Sequence, residues 1–87
     1  MCSSDLLEYI RMGNAAYQSG NVQEALDRYL TGAKVDPYNA ETYYDAGGVY
    51  LMMKDLPNAR ACWKKALQVN PQHEQAKNWL IRTGGDN

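Results

Sequence analysis

The sequence predicts an all-α fold: two copies of one helix–turn–helix unit and a fifth helix that closes the stack, in a single domain of 87 residues. Three observations carry this. The first is an internal repeat. Laying residues 9–37 on residues 43–71, a shift of 34, makes five positions identical: Tyr9/Tyr43, Gly13/Gly47, Ala25/Ala59, Val35/Val69 and Pro37/Pro71. Asn21/Asp55, Val22/Leu56, Tyr29/Trp63 and Gly32/Ala66 keep their chemical type. The second is that apolar residues recur with a helical period, and no stretch reads as a strand. The third is punctuation by Gly20-Asn21, Asp36-Pro37 and Asn70-Pro71, which breaks the chain between periodic stretches.

The first helix is expected from about Asp5 to Ser19, because Asp5-x-x-Glu8 has capping-box form and Leu6, Tyr9, Ile10 and the run Met12 to Tyr17 follow a helical period. Gly20-Asn21 breaks it. Asn21 is expected to cap the second helix, with Glu24 three residues on, and Ala25, Leu26, Tyr29, Leu30 and Ala33 form its apolar stripe. Asp36-Pro37 ends it, since proline disfavours a helical residue before it. The third helix runs from about Ala40 to Met53 behind Asn39. Asp55 caps the fourth, where Pro57 is tolerated in the first turn and Ala59, Trp63, Ala66 and Leu67 point inward. A fifth helix spans about Gln72 to Arg82, and Gly84-Gly85 ends the ordered chain. The units are thus about 5–38 and 39–72, with a closing helix at about 73–83.

Composition excludes several functions. Hydrophobic residues at 45% and charged residues at 22% are ordinary globular usage. Nine Lys and Arg against ten Asp and Glu give a net charge of −1, a poor footprint for nucleic acid. The bases Lys54, Arg60, Lys64 and Lys65 read as a solvated helix back. No apolar run reaches the ~18–20 residues of a membrane span. The start Met1-Cys2-Ser3-Ser4-Asp5 has no signal-peptide form, so a cytoplasmic protein is expected. Cys2 and Cys62 read as free thiols. With one histidine, His73, and no zinc spacing, no metal is expected. The absence of a phosphate-cradling loop argues against a cofactor, and no nucleophile–base pair points to an enzyme or to a small-molecule substrate.

Tyr9-x-x-Met12-Gly13-x-x-Ala16, then Ala25-x-x-x-Tyr29 and Pro37, resembles the tetratricopeptide repeat. So does Tyr43-x-x-Ala46-Gly47-x-x-Tyr50, followed by Ala59-x-x-x-Trp63 and Pro71. Between the copies Met12/Ala16 and Ala46/Tyr50 trade large for small, a swap that roughly conserves volume. The resemblance implies a right-handed α-solenoid of two repeats plus a capping helix. Gly13, Ala25, Gly32, Gly47, Ala59 and Ala66 are small where helices must approach closely, and Tyr9, Tyr29, Tyr43 and Trp63 fill the gaps between layers. In the last helix Lys77 and Ile81 replace the repeated Tyr and Gly, and Ala76, Trp79 and Leu80 are expected to cover the end of the second repeat.

The same resemblance implies a concave groove lined by the first helix of each repeat and by the closing helix. Its residues here would be Leu7, Ile10, Asn14 and Tyr17, then Glu41, Tyr44, Gly48, Leu51 and Met52, then Gln75, Asn78 and Arg82. Such a face suits an extended peptide or an amphipathic helix. Tyr17, Tyr44 and Leu51 serve equally as packing between helices. Gly48 reads either as room for a ligand backbone or as drift.

Some family members clamp a chaperone tail carboxylate with five converging donors. Asn14 and Arg82 match that pattern, whereas Ile10, Gly48 and Asn78 do not, so chaperone-tail binding is not expected. The leading reading is a non-catalytic protein-interaction adaptor or co-chaperone-like scaffold. The alternatives are a self-associating homodimer, using the uncovered face of Leu6 and Ile10, and one domain of a longer protein.

Overall fold

A computed structural model of the chain describes residues 2–84, with side chains from residue 7 onward. Among these residues the chain forms five helices: α1 (Cys2–Gln18), α2 (Val22–Val35), α3 (Ala40–Met52), α4 (Leu56–Val69) and α5 (Glu74–Arg82). Each helix packs on the next in chain order, giving an all-α stack two helices thick, with a shortest extent of 16 Å. None of these helices is long and apolar enough to cross a membrane.

Small residues bring the paired helices together. Ala25, Ala59 and Ala66 have no exposed surface, and Tyr29 and Trp63 are buried beside them. A Cβ on Gly13 would lie 2.6 Å from the Tyr29 ring, and one on Gly47 would lie 2.7 Å from Cδ1 of Trp63. Both glycines therefore let an aromatic ring from the second helix of a pair lie directly on the backbone of the first. The core divides into two clusters, one around Leu26, Tyr29 and Val49, the other around Trp63, Ala76 and Leu80.

The turns repeat with the sequence. At the end of α1 the amide of Asn21 donates to Ala16 O and that of Gly20 to Tyr17 O, which is a Schellman closure. At the end of α3 the amides of Asp55 and Lys54 donate to Tyr50 O and Leu51 O in the same way. Gly20 has φ +89° and Lys54 has φ +62°, so a lysine holds the left-handed position in the second copy. Between the pairs, Asp36 Oδ1 accepts the Tyr38 amide and Asn70 Oδ1 accepts the Gln72 amide, both at 3.1 Å.

Three helix starts differ from expectation. α1 begins at Cys2, so Asp5 lies inside the helix and does not cap it. The side chains of Asp5 and Leu6, and Gly85, lie outside the described residues. Asn21 stands at the N-cap of α2 but makes no side-chain cap bond. Glu24 instead reaches Arg28 at 3.5 Å along the helix. α5 begins at Glu74, two residues late, with His73 as its cap. Asn39 and Asp55 do cap, accepting the amides of Thr42 and Asn58.

As the closing helix, α5 buries Ala76 and Leu80 against α4 and leaves Lys77, Ile81 and Arg82 exposed. Trp79 stacks on Trp63 with ring centroids 5.6 Å apart and planes 19° apart.

Candidate functional site

Residues from all five helices line a depression of about 430 Å³. α1 contributes Asn14 and Tyr17, and α3 contributes Tyr44, Asp45, Gly48, Leu51 and Met52. Tyr29, Trp63 and Trp79 reach it from α2, α4 and α5. Tyr29 and Trp63 are the rings admitted by Gly13 and Gly47, so the same glycines that close the helix pairs give the depression its aromatic lining. A second depression of about 520 Å³ adjoins it through the shared Tyr44 and Trp79, and is lined further by Gln75, Asn78, Ile81 and Arg82.

Nine of the twelve groove residues named from the sequence therefore lie along two joined hollows: Asn14, Tyr17, Tyr44, Gly48, Leu51 and Met52 in the first, Gln75, Asn78 and Arg82 in the second. Leu7, Ile10 and Glu41 are not among the residues lining either one, and Leu7 is 62% exposed on α1. Asn14 and Arg82, which share the clamp pattern, line different hollows.

The polar groups have definite assignments. The Tyr29 hydroxyl donates to Asn14 Oδ1. Burial, with the nearby Asp45 and Tyr17, pushes the Tyr29 phenol up to about 12. Among the described residues Asp45 is the only Asp or Glu lining the first hollow, and no lysine or arginine lines it. Burial, reinforced by the charge of Glu41 and only partly offset by His73, pushes the Asp45 carboxyl up to about 6. Trp63 Nε1 is buried and has no acceptor among the described residues. Gly48 presents bare backbone, since a Cβ there would meet nothing within 4 Å.

His73, which read as an isolated residue, is built into the edge of the site. Its Nδ1 accepts the Ala76 amide at 3.2 Å and its Nε2 lies 3.2 Å from Glu41 Oε1. The uncharged tautomer with its proton on Nε2 serves both bonds. Its ring centroid lies 5.0 Å from that of Tyr44. The shift of 34 residues that places Asn39 on His73 was the available signal. Trp79 and Asp45 were likewise not assigned to the groove from the sequence. Arg82 sits with Cζ 5.6 Å from the centroid of the Trp79 ring.

Among the described residues no cluster of three or more His, Cys, Asp or Glu side chains is arranged to hold a metal ion. Burial raises the Cys62 thiol to about 11, only partly countered by Lys65, which leaves it a poor nucleophile.

Comparison with known proteins agrees with this architecture. A profile of the TPR repeat matches residues 13–54, and a profile of the tetratricopeptide repeat matches residues 40–73. A TPR repeat-containing protein of Methanocaldococcus jannaschii is 33% identical over 67 residues, which is 76% of this chain and 12% of that protein. The probable UDP-N-acetylglucosamine–peptide N-acetylglucosaminyltransferase SPINDLY of Oryza sativa subsp. japonica is 32% identical over 60 residues, 69% of this chain and 6% of that protein. The solved first TPR of Spaghetti (RPAP3), bound to the HSP90 peptide SRMEEVD, matches with a TM-score of 0.88 and 25% identity, covering 93% of this chain and 64% of that one. The chain thus spans only a small part of these curated relatives and less than two thirds of the solved neighbour.

Proposed function

This chain belongs to the tetratricopeptide repeat family, and on that premise we propose that it is a non-catalytic adaptor module that holds a segment of a protein partner in the groove of α1, α3 and α5. The observation that carries the reading is the open backbone at Gly48. A glycine inside a helix costs about 1 kcal/mol relative to alanine. Gly47 returns that cost by seating Trp63, whereas Gly48 seats nothing and faces a hollow walled by Tyr44, Leu51 and Met52. That gap admits a ligand main chain, and the exposed Tyr17 ring with the half-buried Tyr44 and Trp79 rings around the hollow are residue types that dominate binding hot spots.

The solved neighbour, which carries a peptide, supports the same mode of use. The match to the rice transferase covers 6% of that protein, too little to bring its chemistry here. The test is selection from a bead library of random hexapeptides, acetylated and amidated at their ends. The native chain is expected to retain a subset that Gly48→Leu and Tyr44→Ala release, with helix content equal in all three. Retention of nothing overturns the reading. Equal retention by the native chain and both variants moves binding away from the groove.

Self-association is the second reading, favoured by Leu7, which is 62% exposed on the uncovered face of α1. Sedimentation equilibrium checks it, since a mass that rises with concentration and reverts in Leu7→Lys supports a dimer through that face.

A further inference from the structure

Resting on the groove reading above, we propose that the groove selects a peptide carrying a basic side chain, lysine or arginine, which pairs with Asp45 in the hollow walled by Tyr17 and Tyr44.

The charge layout of the groove leads there. Among the described residues Asp45 is the only charged residue type lining the first hollow, and it sits among aromatic and aliphatic side chains. The ion pairs Arg28–Glu24 and His73–Glu41 do not involve Asp45. Glu41, one turn earlier on α3, adds a second negative charge to the same face. His73, the basic residue that faces this pair, is bonded to Glu41 and to the Ala76 amide rather than to Asp45. Arg82 belongs to the adjoining hollow and lies over Trp79. A carboxylate withdrawn from water without a cation is costly, and a cation supplied by a ligand offsets that cost. The tyrosine rings add to the effect, because ring faces attract ammonium and guanidinium groups.

The same layout disfavours the acid-rich type of peptide seen in the solved neighbour, whose sequence SRMEEVD carries two glutamates and an aspartate. A carboxylate placed in this hollow would meet Asp45, with the charge of Glu41 one turn away, rather than a cluster of bases.

The hexapeptide selection described above tests this when the retained beads are sequenced, with Asp45→Asn as a further variant. At pH 7.5 and low salt, peptides retained by the native chain are expected to be enriched in lysine and arginine at one position by about fivefold or more, with Asp and Glu depleted. Asp45→Asn, checked for unchanged helix content, is expected to retain peptides without that enrichment. Retained peptides with no basic preference, or with an acidic one, overturn the proposal while the groove reading stands. A basic preference that survives Asp45→Asn overturns it too. Retention of nothing by the native chain overturns the groove reading and this proposal together.

Discussion

His73 stands before α5 where Asn39 stands before α3. Each accepts the amide three residues on, Thr42 N–H and Ala76 N–H, at 3.2 Å. A histidine thus takes an asparagine's capping task and adds two contacts asparagine cannot make, to Glu41 and to the Tyr44 ring. His73→Ala is expected to cost about 1–2 kcal/mol in urea denaturation, and His73→Asn to recover the capping share of it. Equal losses in both would assign the whole effect to the ring.

Gly47 and Gly48 are adjacent on α3 and should respond oppositely to alanine. Gly47→Ala drives a Cβ into Trp63 and is expected to cost about 1–3 kcal/mol. Gly48→Ala meets nothing and is expected to stabilise the chain by up to about 1 kcal/mol. Thermal melts of the two variants check the pair.

Lys54 holds a left-handed backbone that its repeat partner Gly20 adopts without a Cβ. Lys54→Gly keeps the Schellman closure and removes the steric cost, for an expected gain of about 1 kcal/mol or less. Gly20→Lys, the reciprocal change, should lose a similar amount in the same denaturation experiment.

Asp45 gives the fold a pH dependence of determinate sign. Burial chiefly, then Glu41, raises its folded-state value from 3.8 to about 6, while His73 pulls the other way. The folded chain therefore holds this proton more tightly than the unfolded chain. The contribution is fully present below pH 3.8 and is lost as pH rises through about 6. Asp45→Asn is expected to flatten that window and to add on the order of 1 kcal/mol at pH 7, after allowance for solvent at a partly exposed carboxylate. Melting temperatures between pH 4 and pH 8 for both proteins check it, with Glu41, Tyr29 and His73 left unchanged as the titratable neighbours.

Legibility followed the repeat. The Tyr29 and Trp63 slots, the glycines opposite them and the proline-marked turns were readable because packing fixes them at a constant spacing of 34 residues. Asp45 was not, because a carboxylate on a helix reads as solvated until the rings around it are placed. The face Tyr44-Gly48-Leu51 was clear from helical spacing, yet Asp45 shares the hollow from one position further round the same helix. Asn21 had the right residue type and the N-cap position, yet its side chain accepts no amide of α2, whereas Asp55 at a similar ψ of 76° caps α4. Leu7 and Ile10 sit on α1 beyond the reach of the hollows, where spacing alone could not separate lining from flank.

The Trp63–Trp79 stack also makes the chain its own optical reporter. These are its two tryptophans, they come from different helices, and their rings lie 5.6 Å apart. Indoles that close couple their excited states, so the pair should give a paired positive and negative band in circular dichroism that exists only while α5 is docked on α4. Undocking of the last helix can then be followed separately from loss of helix elsewhere. Because Trp79 also borders both hollows, an arriving ligand should change that signal without any added label.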